Sequence, residues 1–511
     1  MISEELKRLC EGLGPSVEET QEQGPYISVE QLTGRFGAMY EKLRSLVDYK
    51  DYHVIRRSAI KRIVKRRLYL ERAANIGIAL LRELVSSGYL PNNKVPEAKA
   101  AVIESITRKW AFLKREGLPV SLSLDFTAIE IESFLYPDTL TDHVTRSFFR
   151  ATRTSVVYQG FKQTDNLLVT YAACRRSLLG EDQTALLYAL VAQAVPEITP
   201  SSQTDGVLTL LAPQVLRALK RAEAIAADPL VWKVSSRLKN TALFHAILLE
   251  ILRSHGKGAP IVFEDEQQLK ELARSIIEKK QRQQRRLTRV SGERAVIYLL
   301  LTKIILGMAL EWPYEHFIIG VENYVALGTN ALFHPILLYL MVTFIQGDKK
   351  SIERVVEGVS DLVRGKEVKQ IFIRPPVNPV TFFFVVCFYV FLFAATFGAI
   401  LSGLITLLHF NVVSIILFFV FLTLVSYFGL RIRGTARRWE PAIEKPGTLG
   451  LVWNLFAFPI VQTGRWVSVR FAAVNVFVLF LDFLVEVPFK AFLGILDASL
   501  AFIKEHRVET Y

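Results

Sequence analysis

Lys303 is the residue whose position asks most of its surroundings. It stands near the middle of residues 295–311, a run otherwise almost free of charge. At the centre of a helix crossing lipid, a lysine costs about 2.5–3.5 kcal/mol. The nine Leu, Ile and Val residues from Val296 to Leu310 return about 3–5 kcal/mol on the same scale. The balance is close to zero, so Lys303 needs a partner. His334, beside Pro335 in the next apolar run, lies at a similar depth. Further on, Asn475, Asp482, Glu486, Lys490 and Asp497 are spaced 7, 4, 4 and 7 apart, which confines them to an arc of about 80° on a helix. Glu486 and Lys490 stand in the favourable i,i+4 order for an ion pair. Asp482 or Glu486 could supply the countercharge to Lys303 if this stripe packs inward. Lys303, His334, Asp482, Glu486 and Lys490 could then form an ion or proton path through a bilayer. The plainer reading is a set of buried polar contacts that fix helix packing, or a snorkelling lysine.

Other chemistry is absent from the sequence. There is no phosphate-cradling Gly-x-x-x-x-Gly-Lys loop, no His-Glu-x-x-His pair, and the eight histidines are scattered. Ser58 and Lys61 have the Ser-x-x-Lys order of some acyl-enzymes, but Lys61 sits on a charged helical face where nothing would activate Ser58. Cys10, Cys174 and Cys387 lie too far apart for a metal motif or a disulfide framework. No catalytic residue, metal or cofactor is implied, and the chain does not read as an enzyme.

Four apolar runs approach or exceed the roughly 20 residues that a bilayer-crossing helix needs: 295–311, 326–346, 380–408 and 412–430. The third, at 29 residues, would be about 43 Å long and must tilt or emerge from a core of about 30 Å. Positive charge alternates along the connections. Lys279, Lys280, Arg282, Arg285, Arg286, Arg289 and Arg294 precede the first run, while residues 312–325 carry no Lys or Arg. Residues 347–378 are again basic, residues 409–411 are not, and Arg431, Arg433, Arg437, Arg438 and Lys445 follow the fourth run. Cytoplasmic flanks retain Lys and Arg, so the large N-terminal region and the segment after the fourth run should face the cytosol of a plasma (inner) membrane. In the third run, Ala394, Gly398 and Ser402 recur every fourth residue, as do Ala395, Ala399 and Gly403. That spacing lets backbones approach closely in lipid, against a neighbouring span of the same chain or in a homo-oligomer.

The elements around these runs are helical. Residues 1–34 read as a flexible, acidic N-terminus without a cleavable signal. Residues 35–290 form a helical cytosolic region, with a single long helix over 51–87 and further helices at 96–114, 142–161, 165–179, 182–195, 207–226, 231–255 and 266–286. Period-two alternation is confined to 120–124 and 371–373. Residues 291–446 make the four-span membrane domain. Its connection, 347–378, carries an amphipathic stripe (Ile352, Val355, Val356, Val359, Leu362, Val363) suited to the membrane interface or to packing on the N-terminal region. Residues 449–461 read as an interfacial or re-entrant piece, and 471–503 as a membrane-associated helix pair bent at Pro488, together filling 447–511. The fold class is all-α.

The stretch from Arg294-Ala295-Val296-Ile297-Tyr298 through Lys303 to Glu311-Trp312-Pro313-Tyr314, with Tyr40-Glu41-Lys42-Leu43-Arg44 through Arg56-Arg57-Ser58-Ala59-Ile60, resembles an uncharacterised multi-pass membrane protein family of candidate-phyla bacteria. The resemblance covers about a tenth of the chain and implies membrane residence but no activity.

The formal charge of +13, from 62 basic and 49 acidic residues, suits an anionic surface. The basic cluster from Lys279 to Arg294 is expected to meet anionic lipid. The basic helix over 51–71 lacks interleaved aromatics and reads as a solvated or partner-facing surface rather than a nucleic-acid interface. The expected function is a scaffold that docks protein partners at the membrane. The alternatives are an oligomeric transporter or channel around Lys303, His334 and the Asp482/Glu486 stripe, and a membrane-bound enzyme with an unrecognised site.

Overall fold

The computed structural model describes residues 24–29, 52–68, 75–159, 165–321, 323–343, 349–366, 370–373, 379–441 and 448–471. The described residues are almost entirely helical. In chain order the elements are α1 (Tyr52–Arg66), α2 (Ile76–Ser86), α3 (Lys99–Arg115), α4 (Val120–Leu135), α5 (Thr139–Arg153), β1 (Val156–Tyr158), α6 (Asn166–Leu179), α7 (Gln183–Ala194), α8 (Asp205–Ala227), α9 (Pro229–His255) and α10 (Ala259–Glu264). There follow α11 (Glu266–Ile319), α12 (Tyr324–Thr343), α13 (Lys349–Val363), β2 (Ile371–Ile373), α14 (Pro379–Thr406), α15 (Val412–Ala436) and α16 (Thr448–Phe471).

Two compact units emerge. A helical unit takes the chain up to Gln283, then Gly347–Pro376 and Trp439–Ala442; a membrane unit takes Gln284–Gln346, Val377–Arg438 and the chain from Ile443.

The helical unit begins its helices with local chemistry. Asp138, Asp182 and Asp228 accept hydrogen bonds from the first-turn amides of α5, α7 and α9, satisfying N–H groups that a helix start leaves orphaned. Gly180, at φ 67°, ends α6 in the left-handed conformation. The main core gathers around Trp110, Phe126 and Phe148, and the Trp110 and Phe126 rings meet edge to face with centroids 5.2 Å apart. A second core joins α9, the start of α11 and α13 through Leu243, Ile247, Ile277, Val355, Val359 and Val363. The amphipathic stripe of α13 is therefore buried within this unit rather than spent on an interface with lipid. Gly358 allows the approach: a Cβ there would lie 2.2 Å from the Phe244 ring. Strand β2 then pairs in parallel with β1, in the register Val156↔Ile371 to Tyr158↔Ile373.

Three local expectations change. The helix expected over 51–87 is two helices, α1 and α2, with Asn75 at φ 63° before the second; asparagine is among the few residues that tolerate this conformation. Gly77, just inside α2, lies against the Ala100 carbonyl, so close that a Cβ would stand 2.3 Å from its oxygen. The alternation at 120–124 belongs to the first turns of α4. That helix is buried on several sides, with Ser123, Leu124 and the run from Phe126 to Ile131 all inside, and five residues are too few to distinguish a buried helix from a strand. The helix expected over 142–161 stops at Arg153, and β1 follows.

In the membrane unit, α11, α12, α14 and α15 are long and apolar enough to cross a membrane. Helix α11 extends beyond the expected end of the first span. It passes from α-helix into π-helical turns at Gly307–Glu311 and Glu315–Ile319, flanking Trp312–Tyr314. Wide turns of this kind accommodate Pro313, which lacks an N–H. Gly320, at φ 76°, then closes the helix, so the expected 312–325 connection shrinks to residues 320–323. Residues 449–461 belong to one longer helix, α16, with Pro459 inside it. Gly464 packs on α15 against the Thr423 backbone. On α14, Ala394, Gly398 and Ser402 are all exposed among the described residues. The expected C-terminal helix pair lies outside the described residues.

Candidate functional site: a buried polar chain in the membrane unit

Lys303, on α11, is 4% exposed, and Glu311, Glu315, Asn330 and His334 are each 2% exposed or less. Groups so buried in an apolar unit need partners, and the structure supplies them in series. Lys303 Nζ donates to Asn330 Oδ1 at 2.7 Å, and the Phe421 ring lies 4.1 Å from the ammonium. Asn330 Nδ2 faces both carboxylate oxygens of Glu311, at 3.1 and 3.2 Å, and the Ser414 carbonyl at 3.3 Å. The Ser414 hydroxyl donates to Glu311 Oε1.

One helical turn further along α11, Glu315 accepts from Asn411 Nδ2 at 2.6 Å and from the Asn323 backbone at 3.0 Å. These two asparagines are helix caps. Asn323 Oδ1 accepts from Ala326 N at the start of α12, and Asn411 Oδ1 from Ser414 N at the start of α15. The Glu315 carboxylate thus sits at two helix N-termini, where the aligned peptide dipoles favour negative charge. Asn323 Nδ2 also donates to the Leu408 carbonyl at 2.9 Å, tying the two turns together.

His334 lies beside this chain. Its Nε2 is 3.0 Å from the Phe418 carbonyl and its Nδ1 3.3 Å from the Asn330 carbonyl, so both ring nitrogens face backbone oxygens. A cavity of about 80 Å³ adjoins the chain, with Lys303, Glu311 and Asn330 on its polar side and Leu327, Leu417 and Phe421 among its apolar walls.

Lys303 and His334 both contact Asn330, the first at its side-chain oxygen and the second at its backbone carbonyl. The carboxylate joined to Lys303 is Glu311. Asp482, Glu486 and Lys490 lie outside the described residues. Sequence reading missed Glu311, Glu315, Asn323, Asn330, Asn411 and Ser414. The available signal was a pair of carboxylates four residues apart at the end of a span, with an asparagine before each of two apolar runs.

The basic cluster divides by exposure. Lys279, Arg282, Arg286, Arg289 and Arg294 are exposed, whereas Lys280 and Arg285 are half-buried. Lys280 pairs with Glu250 at 2.7 Å, while Arg282 and Arg289 make i,i+4 pairs with Glu278 and Glu293. At 100° per residue, Arg286, Ile297, Leu301 and Ile304 fall within about 60° of one another on α11. All four are exposed, so one helix face changes from cationic to apolar over about three turns, the pattern of a headgroup-to-hydrocarbon boundary.

The class these features define is an all-α protein with one compact unit that carries four helices long and apolar enough to cross a membrane and a second compact unit made of helices. No protein-family model matches the chain, and neither a curated protein nor a solved structure matches it.

Proposed function

We propose that the protein is a plasma-membrane scaffold whose helical unit docks protein partners at the cytosolic face. The observation that carries this reading is the discontinuous make-up of the helical unit. Chain up to Gln283, then Gly347–Pro376, then Trp439–Ala442 all belong to it. The polypeptide leaves for two spans, returns to add α13 and β2, leaves for two more, and returns again at Trp439. Each return requires an even number of crossings, which keeps all three segments on one side of the bilayer. The basic flanks favour the cytosol for that side, and the exposed Arg286 and Arg289 suit anionic lipid headgroups there. Leu210 and Ile261 give the helical unit exposed apolar side chains.

Transport through a single chain finds less support, because the buried polar chain gives way to apolar packing beyond Lys303. Crosslinking of the full-length protein in intact cells, with the linked residues read by mass spectrometry, tests the scaffold. The expected result is recurrent links from lysines of the helical unit, such as Lys220 on α8, to the same soluble proteins. Links confined to the chain itself, together with solute flux in liposomes holding the purified protein, would overturn it.

A further inference from the structure

The buried polar chain has a beginning and an end. It begins at the turns before α12 and α15, where Asn323 and Asn411 are only half-buried. It passes from Glu315 by way of the Asn411 side chain to the Ser414 backbone amide, and from the Ser414 hydroxyl through Glu311 and Asn330 to Lys303. There the packing turns apolar: Leu338, Val342 and Val425 form a cluster, with Val296, Leu299 and Phe421 against it. These residues follow the chain on α12 and α15 and precede it on α11, so they stand between Lys303 and the arginines at 286, 289, 431 and 433.

The cavity adds a second observation. Lys303 offers three N–H donors, one of which is given to Asn330, and the ammonium borders a space of about 80 Å³ whose polar wall includes Glu311. A space of that size is roomy enough for water, and an ammonium, a carboxylate and an amide on an otherwise apolar wall give it polar partners.

We infer that the membrane unit contains an aqueous half-path, entered from its Glu315 end and closed at its arginine end, that brings water and protons to the Lys303–Glu311 pair. The side-chain amides fix positions and do not themselves carry protons; the carriers are water and the Ser414 hydroxyl. In the step proposed, hydronium arriving from the Glu315 end gives its proton to the Glu311 carboxylate. An O–H bond forms on the carboxylate, water is left behind, and nothing is oxidised or reduced. Lys303 then loses its countercharge in a medium where an isolated charge is costly, so the contacts among α11, α12 and α15 respond to acidity on that face.

The cavity is lined by α11, α12 and α15. The titratable groups beside the pair on these helices are Glu315 and His334; α15 presents Ser414 and Phe421. The inference rests on membrane residence and is independent of partner docking.

Single cysteines test it in the full-length protein, on a background of Cys10→Ser, Cys174→Ala and Cys387→Ser, in sealed vesicles of both orientations. The probe is a membrane-impermeant methanethiosulfonate, which reacts with the thiolate and so requires water. Asn411→Cys, Ser414→Cys and Ala331→Cys are expected to react from the Glu315 side only, at least about tenfold faster than lipid-facing Leu401→Cys. Leu338→Cys and Val425→Cys are expected to stay inert from both sides. Ala331 lines the cavity without a polar role, so Ala331→Cys keeps the test alive if Ser414→Cys fails to fold. Inert Ala331→Cys overturns the path, and reactive Leu338→Cys overturns its closure. For the proton step, infrared difference spectra should show a protonated-carboxyl band that grows as pH falls on the Glu315 side and is absent in Glu311→Gln. Labelling without that band overturns proton delivery.

Discussion

The Asn330 side chain stands between the Lys303 ammonium and the Glu311 carboxylate, accepting from the first at 2.7 Å and donating to the second at 3.1 and 3.2 Å. The two charges are thus joined through an amide. Asn330→Leu would leave both without their shared partner, and breaking a buried charge pair costs about 3–5 kcal/mol. The expected outcome is a marked fall in the thermal unfolding temperature of the detergent-purified protein, whereas lipid-facing Leu332→Ala leaves it within a degree or two. Lys303→Met with Glu311→Leu, on top of Asn330→Leu, should recover much of the loss, because neither of the two charges that Asn330 joined then remains. Equal melting of Asn330→Leu and wild type would show the chain to be energetically idle.

A second buried ion pair sits in the helical unit. Lys109 donates to Glu130 Oε1 at 2.6 Å and to the Ile198 and Pro200 carbonyls at 2.8 and 3.1 Å, while Trp110 Nε1 donates to Glu130 Oε2 at 2.7 Å. All three ammonium hydrogens are used, which pins residues 198–200 to α3 and α4. Burial lowers the lysine from its usual range and raises the glutamate, with the partner opposing each shift. Lys109→Met alone should cost about 3–5 kcal/mol by stranding Glu130. Adding Glu130→Gln should restore part of that. A double-mutant cycle by denaturant unfolding of the purified full-length protein checks it: additive losses would mean that the two groups act separately.

What the sequence made legible follows from which forces act over many residues. A span in lipid must hold its apolar character for about 20 residues, so the four helices long and apolar enough to cross are readable from composition. The end of the first is not, because Glu311 and Glu315 look like a departure into water. They stay buried only through Asn330, Asn411 and Ser414, residues from other helices that no local window contains. In the same way, the stripe on α13 announced an amphipathic helix, but Phe244, more than a hundred positions earlier, settles what it packs on. The first turns of α4 were misread because five residues fit two periods equally well, and the break at Asn75 because one asparagine in the left-handed conformation leaves no mark on the apolar pattern. For Lys303, the demand for a partner was legible and the partner's identity was not.

His245, on α9, predicts an acid weakness. Its Nδ1 lies 2.8 Å from the Thr241 carbonyl, its ring meets Phe148 at 4.6 Å, and burial pushes it from the usual 6.5 down to about 4. A histidine depressed in the folded state stays neutral there while the unfolded chain takes up a proton. Stability is therefore unaffected above about pH 6.5 and falls as pH drops from there toward 4, by up to roughly 3 kcal/mol. His245→Phe should flatten the dependence in that window, as read from urea midpoints at a series of pH values. An unchanged slope would assign the acid sensitivity to other groups.

Two glycines in the membrane unit should behave oppositely although both sit in apolar helices. A Cβ at Gly464 of α16 would stand 2.0 Å from the Thr423 carbonyl oxygen and 2.9 Å from the Tyr427 Cβ, whereas one at Gly398 of α14 meets no described atom within 4 Å. Backbone cannot yield as a flexible side chain does, so Gly464→Ala must push α16 away from α15. Overpacking of this kind costs about 1–3 kcal/mol. Gly398→Ala should be neutral or slightly stabilising, since alanine is the better helix former by about 1 kcal/mol. A cysteine pair across α15 and α16, at Tyr427 and Thr463, offers a direct reading: its oxidative crosslinking yield should drop in Gly464→Ala and hold in Gly398→Ala. If Gly398→Ala instead lowers the melting temperature of the purified protein, the exposed row of Ala394, Gly398 and Ser402 is covered in the assembled protein. Size-exclusion chromatography of the same variant in detergent then shows whether a second copy covers it.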